Sequence, residues 1–268
     1  MKKLITILLT TLMILLVLPL ESLKASGITI NIYTEGDWEA ITDEGVILLE
    51  DGDTLNIMEN VSPPEDTVIR IADDATVLVW DQWGGVRDNL RFDVGTNATL
   101  EVVDLYLSYS GYQHLIFLNE GAELVVSSFC QLETKNYNWG LLVCLDGSSV
   151  TVPTGVDCKI ITDSGYSIYT EGSVDFNIDG KLNISTDNYW SYIGPFFGIE
   201  QTTINKYGSG ALNVDNIWCE TLNVYEGFIN INKQLDVAAY WAPNGKITVA
   251  KFAVLNIQGD YYGISVMI

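Results

Sequence analysis

The chain has 268 residues, 48% of them hydrophobic, with 13 basic and 35 acidic side chains and a net charge of −22. That charge repels nucleic acid and anionic lipid surfaces, so partners of those classes are excluded. The apolar content excludes a disordered chain and supplies a core for one large or two small domains.

Residues 1–25 are predicted to be a secretory signal peptide. Lys2 and Lys3 form the positive start, and 4–18 is an apolar run broken only by Thr6, Thr10 and Thr11. Pro19 ends the run, and Leu23-Lys24-Ala25 is a usable cleavage site. The run is shorter than the ~20 residues of a spanning helix, so a membrane anchor is the weaker reading. This start suits bacterial export, which places the product outside the cell or on its surface, free of the membrane after cleavage. Cleavage removes Lys2, Lys3, Lys24 and Glu21 and takes the net charge to −24.

Residues 26–268 are predicted to be one all-β domain. A frame recurs from the first third of the chain onward: Gly52-Asp53-Thr54-Leu55-Asn56-Ile57, Asp74-Ala75-Thr76-Val77-Leu78-Val79, Asn97-Ala98-Thr99-Leu100-Glu101-Val102, Gly121-Ala122-Glu123-Leu124-Val125-Val126, Gly147-Ser148-Ser149-Val150-Thr151-Val152 and Gly172-Ser173-Val174-Asp175-Phe176. Each is a turn residue, a small step and an apolar-polar-apolar strand. The anchors Leu55, Val77, Leu100, Leu124, Val150 and Val174 stand 22, 23, 24, 26 and 24 residues apart, a solenoid period. An earlier short strand precedes each, such as Val68-Ile69-Arg70-Ile71 or Leu115-Ile116-Phe117-Leu118. From 204 onward, triplets such as Leu212-Asn213-Val214 and Leu222-Asn223-Val224 crowd closer together. No sustained helical period follows the signal peptide.

A strand-only coil of this period predicts a right-handed parallel β-helix of about nine coils; an all-β sandwich is the alternative. The Gly-Ala-x-Leu-x-Val frame at 121–126 resembles the secreted parallel β-helix proteins, namely the pectate-lyase-like superfamily and the β-helical adhesins. That resemblance implies recognition or cleavage of polysaccharide. The final segment, Gly263-Ile264-Ser265-Val266-Met267-Ile268, is an apolar strand without a polar cap, so this end is expected to pair with something, or the chain is the N-terminal part of a longer protein.

Catalytic signals are sparse. His114 is the one histidine, so multi-histidine metal sites are out, and a strand-edge histidine is its plainer reading. The Asn-Thr-Asp, Gly-His-Gly and Arg-Ile-Lys motifs of polygalacturonases are missing, and Arg70-Ile71-Ala72 lacks the lysine. Arg87 and Arg91 are read as surface salt-bridge partners. The acidic turn Glu50-Asp51-Gly52-Asp53 offers oxygen ligands of the kind calcium takes, but a solvated turn is preferred. No catalytic residue, resident metal or cofactor is expected, calcium being the alternative. Cys130, Cys144, Cys158 and Cys219 are read as buried, unpaired thiols.

Aromatic residues recur about once per coil outside the triplets, among polar neighbours such as Asn136, Asn138, Asn188 and Ser191. Trp83, Tyr109, Tyr112, Trp139, Tyr189, Trp190 and Trp241 are therefore predicted to form a carbohydrate-binding side, since rings beside amides suit a sugar. Packing under loops is the competing reading. The expected function is a secreted or surface-exposed, non-catalytic recognition or adhesion module for an extracellular polysaccharide or a host or cell-surface glycan. A polysaccharide lyase or glycoside hydrolase, and a structural stalk, are the alternatives.

Overall fold

The computed structural model describes residues 27–42, 44–64, 66–82, 86–88, 90–109, 114–138, 140–186, 191–195, 202–237, 245–263 and 266–267. The residue that opens each predicted frame lies in left-handed backbone: Gly52 (φ 84°), Asp74 (58°), Asn97 (54°), Gly121 (69°), Gly147 (72°) and Gly172 (68°). A side chain is costly in that region for all but Gly, Asn and Asp, which explains the choice of residue at every repeat. The turn sends the chain into a short strand that pairs, in parallel, with the equivalent strand one coil earlier and one coil later.

Repetition of this unit makes a right-handed parallel β-helix. Eleven strands, from Thr29–Ile32 to Val266–Met267, form the first sheet, here face 1. A 15-stranded second sheet bends into two further faces. The long strands Asp157–Thr170, Ala211–Cys219 and Phe228–Val237 turn that corner. Each pairs through its first part with one set of strands and through its second part with another. From the third coil onward face 2 follows face 1, as in Leu105–Tyr109 and Lys181–Thr186; face 3 follows face 2, as in Leu90–Val94 and Ile116–Leu118. At ~4.8 Å per strand, eleven strands span about 50 Å.

Alternate residues point inward and stack in columns. Val77, Leu100, Leu124, Val150 and Phe176 form one such column on face 1, each almost fully buried. The anchors named from the sequence stack on one another from Val77 to Val150, and the register slips by two residues at each end. Leu55 stacks on Val79, and Val150 on Phe176. A two-residue slip keeps every side chain on its own side of the sheet, so the inward set is unchanged.

The outward asparagines of the triplets also stack. Asn183, Asn213, Asn230 and Asn256 each donate from Nδ2 to the residue one coil earlier, at 2.5–2.7 Å, starting on Asp157. Asn223 donates to Asn205 and Asn205 to Asp175 on face 1. The triplet asparagine thus cross-links coils as well as wetting the surface.

Three features depart from the sequence expectation. A short helix, Glu35–Ile41, stands in the first coil, capped by Thr34 and Asp37 in a reciprocal capping box, and buries Trp38 completely. Two turns are too short to show a helical period, so the Thr-x-x-Asp box was the readable signal. Arg87 is no surface residue. It is 1% exposed and forks onto Asp81, with Nε–Oδ2 and Nη2–Oδ1 both at 2.7 Å. It also donates to the carbonyls of Glu59 and Val61, pinning the loop that replaces a face-2 strand in the coil below. Finally, Lys206 occupies the inward column between Phe176 and Val224. Its ammonium donates to the carbonyls of Ile178 (3.2 Å), Tyr207 (2.5 Å), Gly208 (2.7 Å) and Glu226 (3.4 Å), which belong to three successive coils.

All four cysteines are free and buried, as expected. Cys130 and Cys158 are register neighbours, and burial raises the Cys144 thiol to about 12.

Candidate functional site

The outward column of face 3 gathers basic, acidic and aromatic side chains. Strand Thr67–Ile71 contributes Arg70, Leu90–Val94 contributes Asp93, and Ile116–Leu118 contributes Phe117; the three are consecutive register partners. Each lies between two inward apolar residues, so alternation forces it outward. Val143 and Tyr169 continue the column.

His114 lies against the start of this column. Its Nε2 is 3.0 Å from Asp93 Oδ1, and its ring packs on Phe117 with centroids 5.0 Å apart and planes tilted by 59°. The hydrogen bond from His114, helped by the positive charges of His114, Arg70 and Arg91, holds the Asp93 carboxyl below the usual range. Asp93 is therefore an ionised acceptor at neutral pH. Arg70 is exposed, and its guanidinium donates no hydrogen bond among the described residues. Asn119 fixes its amide by donating to the Val94 carbonyl at 2.7 Å. Together these side chains line an open groove of ≈ 570 Å³. Asp73, the other carboxylate along it, accepts the Thr96 amide at 2.8 Å.

Further along face 3 lies a cluster of rings. Tyr166 is buried and meets Tyr169 edge-on at 6.5 Å and Tyr192 at 6.1 Å. Tyr192 in turn meets Trp218 at 6.1 Å. Gly194 faces Tyr169 on one side and follows Ile193, the partner of Ile217, so it faces Trp218 on the other. A Cβ at Gly194 would lie 2.2 Å from the Trp218 carbonyl oxygen, and its φ of 157° is rarely adopted by other residues. Asp236 is the next partner of Trp218, and burial raises its carboxyl.

The column offers donors, an ionised acceptor and ring faces in one line. The imidazole is oriented by a carboxylate, but among the described residues no serine or cysteine lines the groove. Among the described residues, no group of three or more His, Cys, Asp or Glu is placed to hold a metal ion. Two of the three carboxylates in the acidic turn at 50–53 are spent on backbone. Asp53 accepts the amides of Ile28 and Glu50, and Asp51 accepts that of Thr76.

Of the predicted carbohydrate-binding residues, Trp83, Tyr112, Trp139, Tyr189, Trp190 and Trp241 lie outside the described residues. Tyr109 ends strand Leu105–Tyr109, and its side chain also lies outside them. Arg70, Asp93, Phe117 and Trp218 were not among the predicted site residues. The spacings 23 and 24 from Arg70 to Asp93 to Phe117, at the outward place of the earlier strand, are the signal that finds the first three. No protein-family model matches the chain, and no curated protein or solved structure matches it either.

Proposed function

We propose that the chain is a secreted or surface-exposed, non-catalytic recognition module that takes an extended glycan along face 3. One observation carries the reading: the outward column that aligns Arg70, Asp93 and Phe117 with Tyr169 and Trp218 along the rod. A polysaccharide needs repeated ring faces with hydrogen-bonding groups between them, and a rod with one feature per coil supplies them at a regular spacing. Weak subsites in series then add up to useful affinity. The coil architecture is in keeping with the β-helical adhesins and the pectate-lyase-like superfamily, and the partner in this reading is an extracellular polysaccharide or a cell-surface glycan. Bacterial export of the mature chain belongs to the same proposal.

A second reading, cleavage of the glycan, draws on the His114–Asp93 pair at 3.0 Å, an imidazole held ready for proton transfer. A glycan-array screen beside a polysaccharide-degradation assay separates the two. The expected outcome is retention of at least one glycan with no new ends or unsaturated products. Trp218→Ala should weaken that retention roughly tenfold. Product formation that stops in His114→Ala would replace the recognition reading with the enzymatic one.

A further inference from the structure

We infer that the groove over Arg70, Asp93 and Phe117 is a subsite for an uncharged sugar ring with two neighbouring hydroxyls, so that the glycan held along face 3 is a neutral one. The inference rests on the recognition reading above and adds the charge class of the ligand and its anchor.

Hydrogen-bond capacity is the first reason. Arg70 and Asp93 are register partners on adjacent strands, so their backbones stand ~4.8 Å apart on one outward column. A guanidinium only donates and an ionised carboxylate only accepts. A hydroxyl does both. Two neighbouring hydroxyls laid across this pair give one proton to Asp93 and receive one from Arg70, and both hydrogen bonds are charge-assisted. A carboxylate or sulfate ester can only accept, so it would use Arg70 and meet Asp93 as a like charge.

The surroundings fit the same ligand. Phe117, the next residue of the column, offers an apolar face for the C–H side of the ring, and His114 holds that phenyl in place. The hydrogen bond from His114 keeps Asp93 ionised, as the acceptor role requires. Charges near the groove are of both signs: Arg70 and Arg91 stand beside Asp73 and Asp93. Beyond it the chain carries a net charge of −22, which opposes approach of any polyanion. The volume of ≈ 570 Å³ lies within the usual range for small-molecule sites, and its open form lets a polymer pass through.

The test is calorimetric titration with neutral hexasaccharides (xylo-, manno-, cello- and malto-) and with oligogalacturonate, at low and high salt. The neutral ligand should bind with an affinity that salt leaves within about twofold, because no net charge is neutralised. Asp93→Asn and Arg70→Gln should each weaken it roughly tenfold or more, the range for a hydrogen bond to a charged group. Both positions are on the surface of the sheet, so melting temperatures should stay close to wild type, and Arg70→Lys checks whether the planar fork is required. Oligogalacturonate binding that fades with salt, with no neutral binder, would overturn this inference and leave glycan recognition standing. Unchanged neutral binding in Asp93→Asn would also overturn it. Failure of every glycan to bind would sink both readings together.

Discussion

Lys206 shows how far a single side chain can depart from its local pattern. The triplet Ile204-Asn205-Lys206 points Lys206 inward, where Val224 and Phe176 are its column neighbours. Burial lowers its ammonium to about 8, so it is still charged at neutral pH, and four carbonyls from three coils accept its protons. Lys206→Met fills a similar volume but removes the ammonium those carbonyls share, while the Ile178 carbonyl keeps a second donor, the Gly210 amide. We expect a loss of about 2–4 kcal/mol, read as a lower urea midpoint with an unchanged slope. The lysine value in an unfolded chain is about 10.4. Between pH 8 and 10 the unfolded state therefore binds the extra proton, and stability rises with pH through this group. The difference between wild type and Lys206→Met should shift in favour of wild type over that interval; an opposite slope would show that the carbonyls outweigh burial. Asn213 is a milder case. It donates to Asn183 and accepts from Asn230, both at 2.7 Å. Asn213→Ser should cost about 1 kcal/mol in thermal unfolding, although alternation alone marks the position as a tolerant surface site.

At the scale of the strand, the inward face carries most of the stability. Leu124 is 1% exposed and lies between Leu100 and Val150. Burying it contributes about 1.5–3 kcal/mol. Leu124→Asp puts an unpaired charge into that column and should unfold the chain, with loss of the β-sheet circular dichroism. The helix Glu35–Ile41 is a different kind of element. It holds its place through the Thr34–Asp37 box and Trp38 rather than through sheet pairing. Thr34→Ala should therefore cost about 1 kcal/mol and affect the first coil before the rest, as hydrogen exchange would report.

Across the whole molecule, the acidic composition has a structural use. Aspartates at the turn into face 1 reach the next coil: Asp73 takes the Thr96 amide and Asp146 the Ser173 amide, while Asp179 takes that of Ser209 at the corner between faces 1 and 2. Carboxylates thus tie coil to coil at the corners, as asparagines do on the faces. The rod is held by these links and by its core, and no disulfide joins the described cysteines. Thiol titration of the denatured, unreduced chain should count four reactive groups. Recovery of two would point to Cys130 and Cys158, the pair that share a register position.

The division between sequence and tertiary structure follows from the range of each signal. Period two told which side each residue of Leu55-Asn56-Ile57 or Leu212-Asn213-Val214 takes, because strand geometry is local. The Gly, Asn and Asp at 52, 74, 97, 121, 147 and 172 announced the left-handed turns for an equally local reason, and the interval between them meant a solenoid. The aromatic side rests on recurrence about once per coil among polar neighbours, and its side chains lie outside the described residues. Coil length varies, so which residues become neighbours across coils is decided only when the strands pair. That is why Leu55 meets Val79 rather than Val77, why Arg87 finds Asp81, and why Arg70, Asp93 and Phe117 form one line. A groove made from side chains 23 and 24 residues apart exists only in the stacked coil, where backbone pairing brings them within reach.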